Sequence, residues 1–251
     1  MISFNNDFLG YHSLEHIESF SGSDTKELYQ KNLEIQPEDW YYRINQISYV
    51  RNSNGHRCKE IEDIDLDNYI LFTGCSHTEG IGLKLEDTFP YVVSKNFNCD
   101  YYNLGIGGAG IDMLVYNLIT WFSVISKKPK FVVVQWPEQS RFISSNIEDM
   151  PTEELVTCGP WVKDMNVKNI LAAGNMTGFF QVRRLMAFKL LHNAVSCPII
   201  EDSDGSSKFH DNMFPLYIGD TARDMVHGGV DTNIKHAEAI SKIANKKLSD
   251  K

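Results

Sequence analysis

The chain has 251 residues, a net charge of −9, 42% hydrophobic and 23% charged residues. That length suits one large domain or two small ones, and the composition is that of a soluble globular protein with a buried core. The acidic balance and the lack of a basic stripe argue against a nucleic-acid partner, and no run approaches the ~18 apolar residues that span a bilayer.

Residues 1–66 are polar and aromatic-rich, and read as a lead-in that packs on a main domain at 67–251. The opening residues lack the basic start and apolar stretch of a secretory signal. Five cysteines, an odd number without metal-type spacing, are expected as thiols in a reducing compartment. The expected location is cytoplasmic, and a virion component released by lysis is compatible with it. Within the lead-in, Asp24–Leu33 predicts a short capped helix, Asn45–Val50 an edge strand and Asn52–Gly55 a turn.

A strand–helix rhythm starts at Tyr69. Tyr69–Phe72 is a buried-strand run. Thr88–Phe97 predicts a helix with Pro90 in its first turn, where a missing N–H costs least. Tyr101–Leu104 is a short strand, Ile111–Ile125 a helix, and Phe131–Trp136 the clearest strand. Residues 144–175 form an insertion with weak pattern. Met176–Val195 predicts one long helix, Cys197–Ile200 a strand, and Asp231–Leu248 a final helix capped by Asp231 or Thr232. Apolar strands alternating with helices imply an α/β fold, a three-layer α/β/α sandwich around a mainly parallel sheet.

In such a sheet, functional residues collect at the carboxyl ends of the strands. Ser76 follows the first strand in Gly74-Cys75-Ser76-His77-Thr78-Glu79-Gly80, where a sharp turn would expose it. Gly105, Gly107 and Gly108 follow the second strand. Asp224-Met225-Val226-His227 precedes the last helix. A serine needs a base to become a nucleophile, and histidine suits the task near neutrality. An aspartate three residues earlier can hold the imidazole in one tautomer. His77 is the rival base, but neighbouring side chains on a turn diverge, so a substrate-facing or loop-hydrogen-bonding role is expected. His236 is expected to be structural. His12, His16, His56, His192 and His210 form no ligand set, so no metal and no cofactor are expected. Gly105, Gly107, Gly108 and Gly110 miss the register of a dinucleotide-binding loop. They suit a turn whose backbone N–H groups closely approach a ligand atom.

These residues resemble the blocks of SGNH (GDSL-type) hydrolases. Gly74-Cys75-Ser76-His77-Thr78 is similar to the first block, Asn103-Leu104-Gly105-Ile106-Gly107-Gly108 to the second, and Asp224-Met225-Val226-His227 to the fifth, over about residues 67–248. The resemblance implies a serine esterase. Ser76 would be the nucleophile, His227 the base and Asp224 its orienter, with the oxyanion held by the N–H groups of Ser76 and Gly108. It also implies a small-molecule or saccharide ester as partner, such as a sugar O-acetyl group, cleaved through an acyl-enzyme. The same machinery could serve an acyltransferase, or the scaffold a non-catalytic binding or virion-structural role. Two departures stand out. Cys75 replaces the usual aspartate before the serine. The third block's oxyanion asparagine is missing from Gln135-Trp136-Pro137-Glu138-Gln139-Ser140-Arg141. Gln139 is the candidate replacement donor, with Ser140 and Arg141 the other suitable groups. Trp136 and Arg141 are candidates for the cleft lining. Core packing for Trp136 and a solvated place for Arg141 are the competing readings.

Overall fold

The computed structural model describes residues 2–5, 7–11, 17–144, 155–203, 214–215 and 219–250. Its centre is the parallel sheet implied by the strand–helix rhythm. The strands are β3 (Tyr69–Thr73), β4 (Asp100–Asn103), β5 (Val132–Trp136), β8 (Ile199–Ser203) and the short β9 (Phe214–Pro215), in the spatial order β4-β3-β5-β8-β9. Every pairing in it is parallel. Successive side chains leave a strand on opposite faces. Tyr69 and Leu71 therefore pack with α4 (Ile111–Val124) and α6 (Phe179–Ala194), while Ile70 and Phe72 pack with α3 (Phe89–Asn96) and α7 (Val230–Ser249). Helices cover both faces, which makes the three layers.

The strand order has a functional consequence. From β3 the chain first goes to one neighbour, β4, and then crosses to the other, β5. The loops leaving β3 and β5 diverge above and below the sheet, and a crevice opens at their carboxyl ends. Ser76 starts the one-turn helix α2 (Ser76–Glu79) at that point.

The lead-in contains a hairpin that sequence periodicity did not reveal, β1 (Ile2–Asn5) with β2 (Phe8–Tyr11). Strands this short carry almost no alternation. Tertiary contacts hold the hairpin instead: the Asn117 side chain on α4 bonds both the N–H and the C=O of Leu9. Helix α1 (Lys26–Ile35) forms as expected, with the Thr25 hydroxyl accepting from the Leu28 N–H. The edge strand expected at Asn45–Val50 is absent. Only Tyr49 pairs, in a single bridge to Glu18, and its hydroxyl is held by Asp24 and the Gly82 N–H.

Within and beside the weakly patterned insertion, β6 (Phe142–Ser144) pairs with β7 (Val156–Cys158), and α5 (Met165–Thr177) is capped by Asp164. Two other expectations are corrected. The single helix expected at Met176–Val195 is broken at Gly178, whose left-handed φ of 69° ends α5 before α6 begins. Close packing supports the break, since a Cβ on Gly174 would lie 2.3 Å from the Phe180 ring. Finally, α7 is not capped by Asp231 or Thr232. Both lie inside the first turn, and the Asp220 carboxylate accepts their backbone N–H groups.

Candidate active site

The turn after β3 is built for close approach. A Cβ on Gly74 would lie 2.1 Å from the Thr78 hydroxyl and 3.0 Å from Gln135 Cβ, so only glycine lets the chain fold back there. Cys75, at the position that departs from the family pattern, is fully buried among Ile2, Leu9, Ile106, Ala109 and Met113. The thiol therefore packs within an apolar cluster of the core. Its neighbour Ser76 is delivered to the crevice.

Ser76, His227 and Asp224 meet there. The Ser76 Oγ lies 2.7 Å from His227 Nε2, and His227 Nδ1 lies 2.6 Å from Asp224 Oδ2. The carboxylate can only accept, so Nδ1 carries the proton and Nε2 is left to accept from the serine hydroxyl. The Asp224–His227 turn is tight, with Met225 in the left-handed region at φ 59°. Asp224 Oδ1 accepts the N–H groups of Val226 and His227, and Oδ2 also accepts from the Ser23 hydroxyl at 2.6 Å. Burial would raise the Asp224 carboxyl. The His227 hydrogen bond and charge, with the Ser23 and backbone donors, outweigh burial and hold it at about 2.

Ser23 was not legible as a site residue. It comes from the lead-in, held beside the turn by a buried ion pair. Arg223 Nη2 lies 2.7 Å from Asp24 Oδ2, its Nε also donates to that carboxylate, and Nη2 donates to the Ser19 carbonyl. The residue before Asp224 thus clamps the residue after Ser23.

A cavity of about 520 Å³ opens onto Ser76 and His227. Gly107 and Gly108 form part of its wall, as do Tyr11, Ser23, Arg141, Thr157 and Trp161. Gly108 has φ 74°, a left-handed conformation that favours glycine. The N–H of Gly107 is engaged by Glu79 Oε2 at 2.7 Å and by the Tyr11 hydroxyl. Glu79 is fully buried under this turn. It also accepts from Tyr11 at 3.0 Å and pairs with Arg51 at 2.9 Å, and the Arg51 guanidinium lies 4.0 Å from the centre of the Tyr11 ring. This buried carboxylate, also missed in the sequence, locks the glycine turn to the lead-in.

The other expected site residues separate. His77 does not line the cavity; its ring stands edge-on to His227 with centroids 4.7 Å apart. Burial, then the positive potentials of His227, His236 and Arg141, push it down to about 3, so it is a neutral neighbour of the base. Trp136 is fully buried in the core and donates from Nε1 to Glu201 at 3.0 Å, so it is not cleft lining. Gln139 is turned away from the cavity: its side-chain carbonyl accepts from Arg184 and its backbone carbonyl from Arg183. The Ser140 hydroxyl donates to Glu138. Arg141 alone of that segment reaches the cavity, with its guanidinium 5.2 Å from the Trp161 ring centre.

His56 is a core residue between Leu9 and Tyr102, His192 contacts Glu201, and His236 contacts Asp202. His12, His16 and His210 lie outside the described residues. Among the described residues no three His, Cys, Asp or Glu side chains gather as a metal ion would need, and no helix is long and apolar enough to cross a membrane.

No protein-family model matches the chain, and no curated protein matches it. Among solved structures it is similar to an acetyl xylan esterase from the rumen bacterium Butyrivibrio proteoclasticus, with 12% identity over 72% of this chain and 64% of that one and a TM-score of 0.45. It is similar to a carbohydrate esterase family 2 enzyme with a carbohydrate binding domain from Corynascus thermopiles (Myceliophthora fergusii), with 12% identity over 72% and 67% of the two chains and a TM-score of 0.45. It is also similar to a carbohydrate acetylesterase family member from Sinorhizobium meliloti, with 15% identity over 72% and 99% and a TM-score of 0.35. The chain spans just under two thirds of the first of these proteins, and the activities named are theirs. Within this chain the three segments that resemble SGNH blocks meet at the carboxyl end of the sheet, within the three-layer α/β/α architecture that the resemblance implies.

Proposed function

We propose that the chain is a serine esterase that cleaves a carboxylic ester, with O-acyl groups on saccharides as the substrate class. The observation that carries this reading is the unbroken hydrogen-bonded relay from Asp224 to His227 to Ser76, with spacings of 2.6 and 2.7 Å, opening into a cavity beside the Gly108 turn.

The chemistry follows from the relay. Ser76 Oγ attacks the ester carbonyl carbon while its proton passes to His227 Nε2. The carbonyl π electrons move to oxygen, and the backbone N–H groups of Ser76 and Gly108 receive that charge. Asp224 stabilises the imidazolium without taking its proton. The tetrahedral centre collapses, the bond to the alcohol oxygen breaks, and the Nε2 proton goes to the departing alkoxide. Water then repeats the sequence on the acyl-serine, releasing the acid and restoring the hydroxyl. The saccharide preference rests on the cavity wall. Trp161 is half exposed there, and an indole face suits the apolar face of a sugar ring, while Tyr11, Ser23 and Thr157 bring hydroxyl groups.

The test is covalent labelling with a fluorophosphonate, together with turnover of p-nitrophenyl acetate and of acetylated xylose. The native chain is expected to label once and to hydrolyse both esters. Ser76→Ala is expected to lose labelling and turnover with the unfolding midpoint nearly unchanged. Labelling that persists in Ser76→Ala would overturn the assignment.

A further inference from the structure

We infer that the Thr157 hydroxyl is the third oxyanion donor of this site, taking the role that the third-block asparagine has in the pattern the chain resembles. The inference rests on the esterase reading above and adds a residue to it.

Of the candidate donors in the segment after β5, only Arg141 reaches the cavity. Gln139 and Ser140 are engaged with Arg184 and Glu138, and Arg141 is stacked over Trp161. Thr157 approaches from the opposite wall, at the centre of β7, where it pairs with Ile143. Side chains alternate along a strand, and its neighbour Cys158 is fully buried, so Thr157 faces the other way, into the cavity. The hairpin is held at two points. Leu155 exchanges both backbone hydrogen bonds with Ile2 at 3.0 and 3.1 Å, and the Asp112 carboxylate accepts the Ile143 N–H at 3.2 Å.

The place it reaches is the oxyanion turn. A Cβ on Gly108 would lie 2.6 Å from Thr157 Oγ1. The missing Cβ therefore does two things: it permits the left-handed turn, and it leaves room for a hydroxyl against the glycine whose N–H is the proposed donor. Thr157, Gly108 and Ser76 border the same cavity. A threonine hydroxyl carries one proton and rotates to suit its acceptor. As Ser76 Oγ bonds to the carbonyl carbon and the π pair moves to oxygen, that proton turns to the growing negative charge. It stays on Thr157 throughout, so the step needs no further reactant.

The experiment measures steady-state hydrolysis of p-nitrophenyl acetate by the full chain and by Thr157→Val, Thr157→Ser and Arg141→Gln, with unfolding midpoints for each. Thr157→Val keeps the shape and removes the O–H. It is expected to lower kcat by about 10²-fold with KM changed little, because the contact forms in the transition state. Thr157→Ser is expected to recover most of that loss, and Arg141→Gln to act mainly on KM. A second readout is inhibition by methylboronic acid, which takes the serine oxygen lone pair to form a tetrahedral adduct. Its affinity should weaken in Thr157→Val and return in Thr157→Ser. A native kcat in Thr157→Val overturns the inference. So does an equal loss in Thr157→Val and Thr157→Ser, or a kcat loss confined to Arg141→Gln. Absence of Ser76-dependent turnover in the native chain overturns the esterase reading itself, and the inference with it.

Discussion

The cavity has two walls of different origin. One comes from the sheet and its following turns: Ser76, Gly107, Gly108 and His227. The other comes from the lead-in and the insertion: Tyr11, Ser23, Thr157 and Trp161. The first wall has its backbone held by regular elements and buried strands on both faces. The second is carried by a short hairpin, a loop after an isolated bridge, and a two-strand flap. The nucleophile and base sit on the rigid wall, while the second wall selects the substrate and lends Ser23 to the Asp224 carboxylate and Thr157 to the oxyanion turn. The two walls are nevertheless joined by buried charge, through Glu79–Arg51 beneath the glycine turn and Asp24–Arg223 beside the Asp224 turn.

If the sheet wall carries the chemistry, its loss should be the most damaging. Asp224→Asn presents an amide to His227 Nδ1 and favours the wrong tautomer. Turnover of p-nitrophenyl acetate should fall by about 10⁴-fold with the fold intact. A loss under tenfold would break the comparison at its strongest point.

Cutting the tie between the walls should come next. Glu79→Ala leaves Arg51 with the Ser21 hydroxyl and, as its one remaining carboxylate partner, the half-exposed Glu18, and it removes the acceptor of Tyr11 and one of the two acceptors of the Gly107 N–H. A destabilisation of about 3–5 kcal/mol is expected in urea unfolding, as for a broken buried pair. A variant as stable as the native chain would show that the walls are independent.

Acid should loosen the seam between lead-in and sheet. His56 donates from Nε2 to the Leu9 carbonyl and accepts the Tyr102 hydroxyl at Nδ1, so it is held neutral. Burial, partly opposed by the Leu9 hydrogen bond, pushes it down to about 4. The unfolded chain then takes up the proton first as pH falls. The contribution of His56 to stability is full above about pH 6.5, declines toward pH 4 and is flat below, a loss on the order of 3 kcal/mol. Unfolding free energy measured from pH 7 to 4 should show this slope, and His56→Gln should flatten it.

The smallest effect sharpens the comparison most. Ser23→Ala removes one of the four donors on Asp224 and leaves the other three. The expected cost is about 1–2 kcal/mol in kcat/KM, roughly tenfold. No change would mean that the lead-in only shapes the cavity.

Much of this molecule is legible before folding. The buried strands at Tyr69 and Val132, the helix with Pro90, and Gly74 ahead of Ser76 are local features, and local sterics and periodicity act over a few residues. The Asp224–His227 spacing is local too, since three residues suffice to close that turn. The misses share one cause. Gln139 and Trp136 lie close in sequence to where a donor and a lining residue were wanted. Whether a side chain points into a cavity or into the core depends on what packs behind it, and that is Arg184 for one and Glu201 for the other.

The sequence by itself therefore determined the layers, the sheet edge and the chemical identity of the serine, imidazole and carboxylate. Only the tertiary structure decided which distant groups complete them. Ser23 reaches Asp224 across 201 positions, Tyr11 reaches Glu79 across 68, and Thr157 reaches Gly108 from a flap whose strands show no periodic signal. Such contacts arise from chain crossings that bury an ion pair or fill the space left by a missing Cβ. Their energies depend on three-dimensional proximity, which no spacing along the chain encodes.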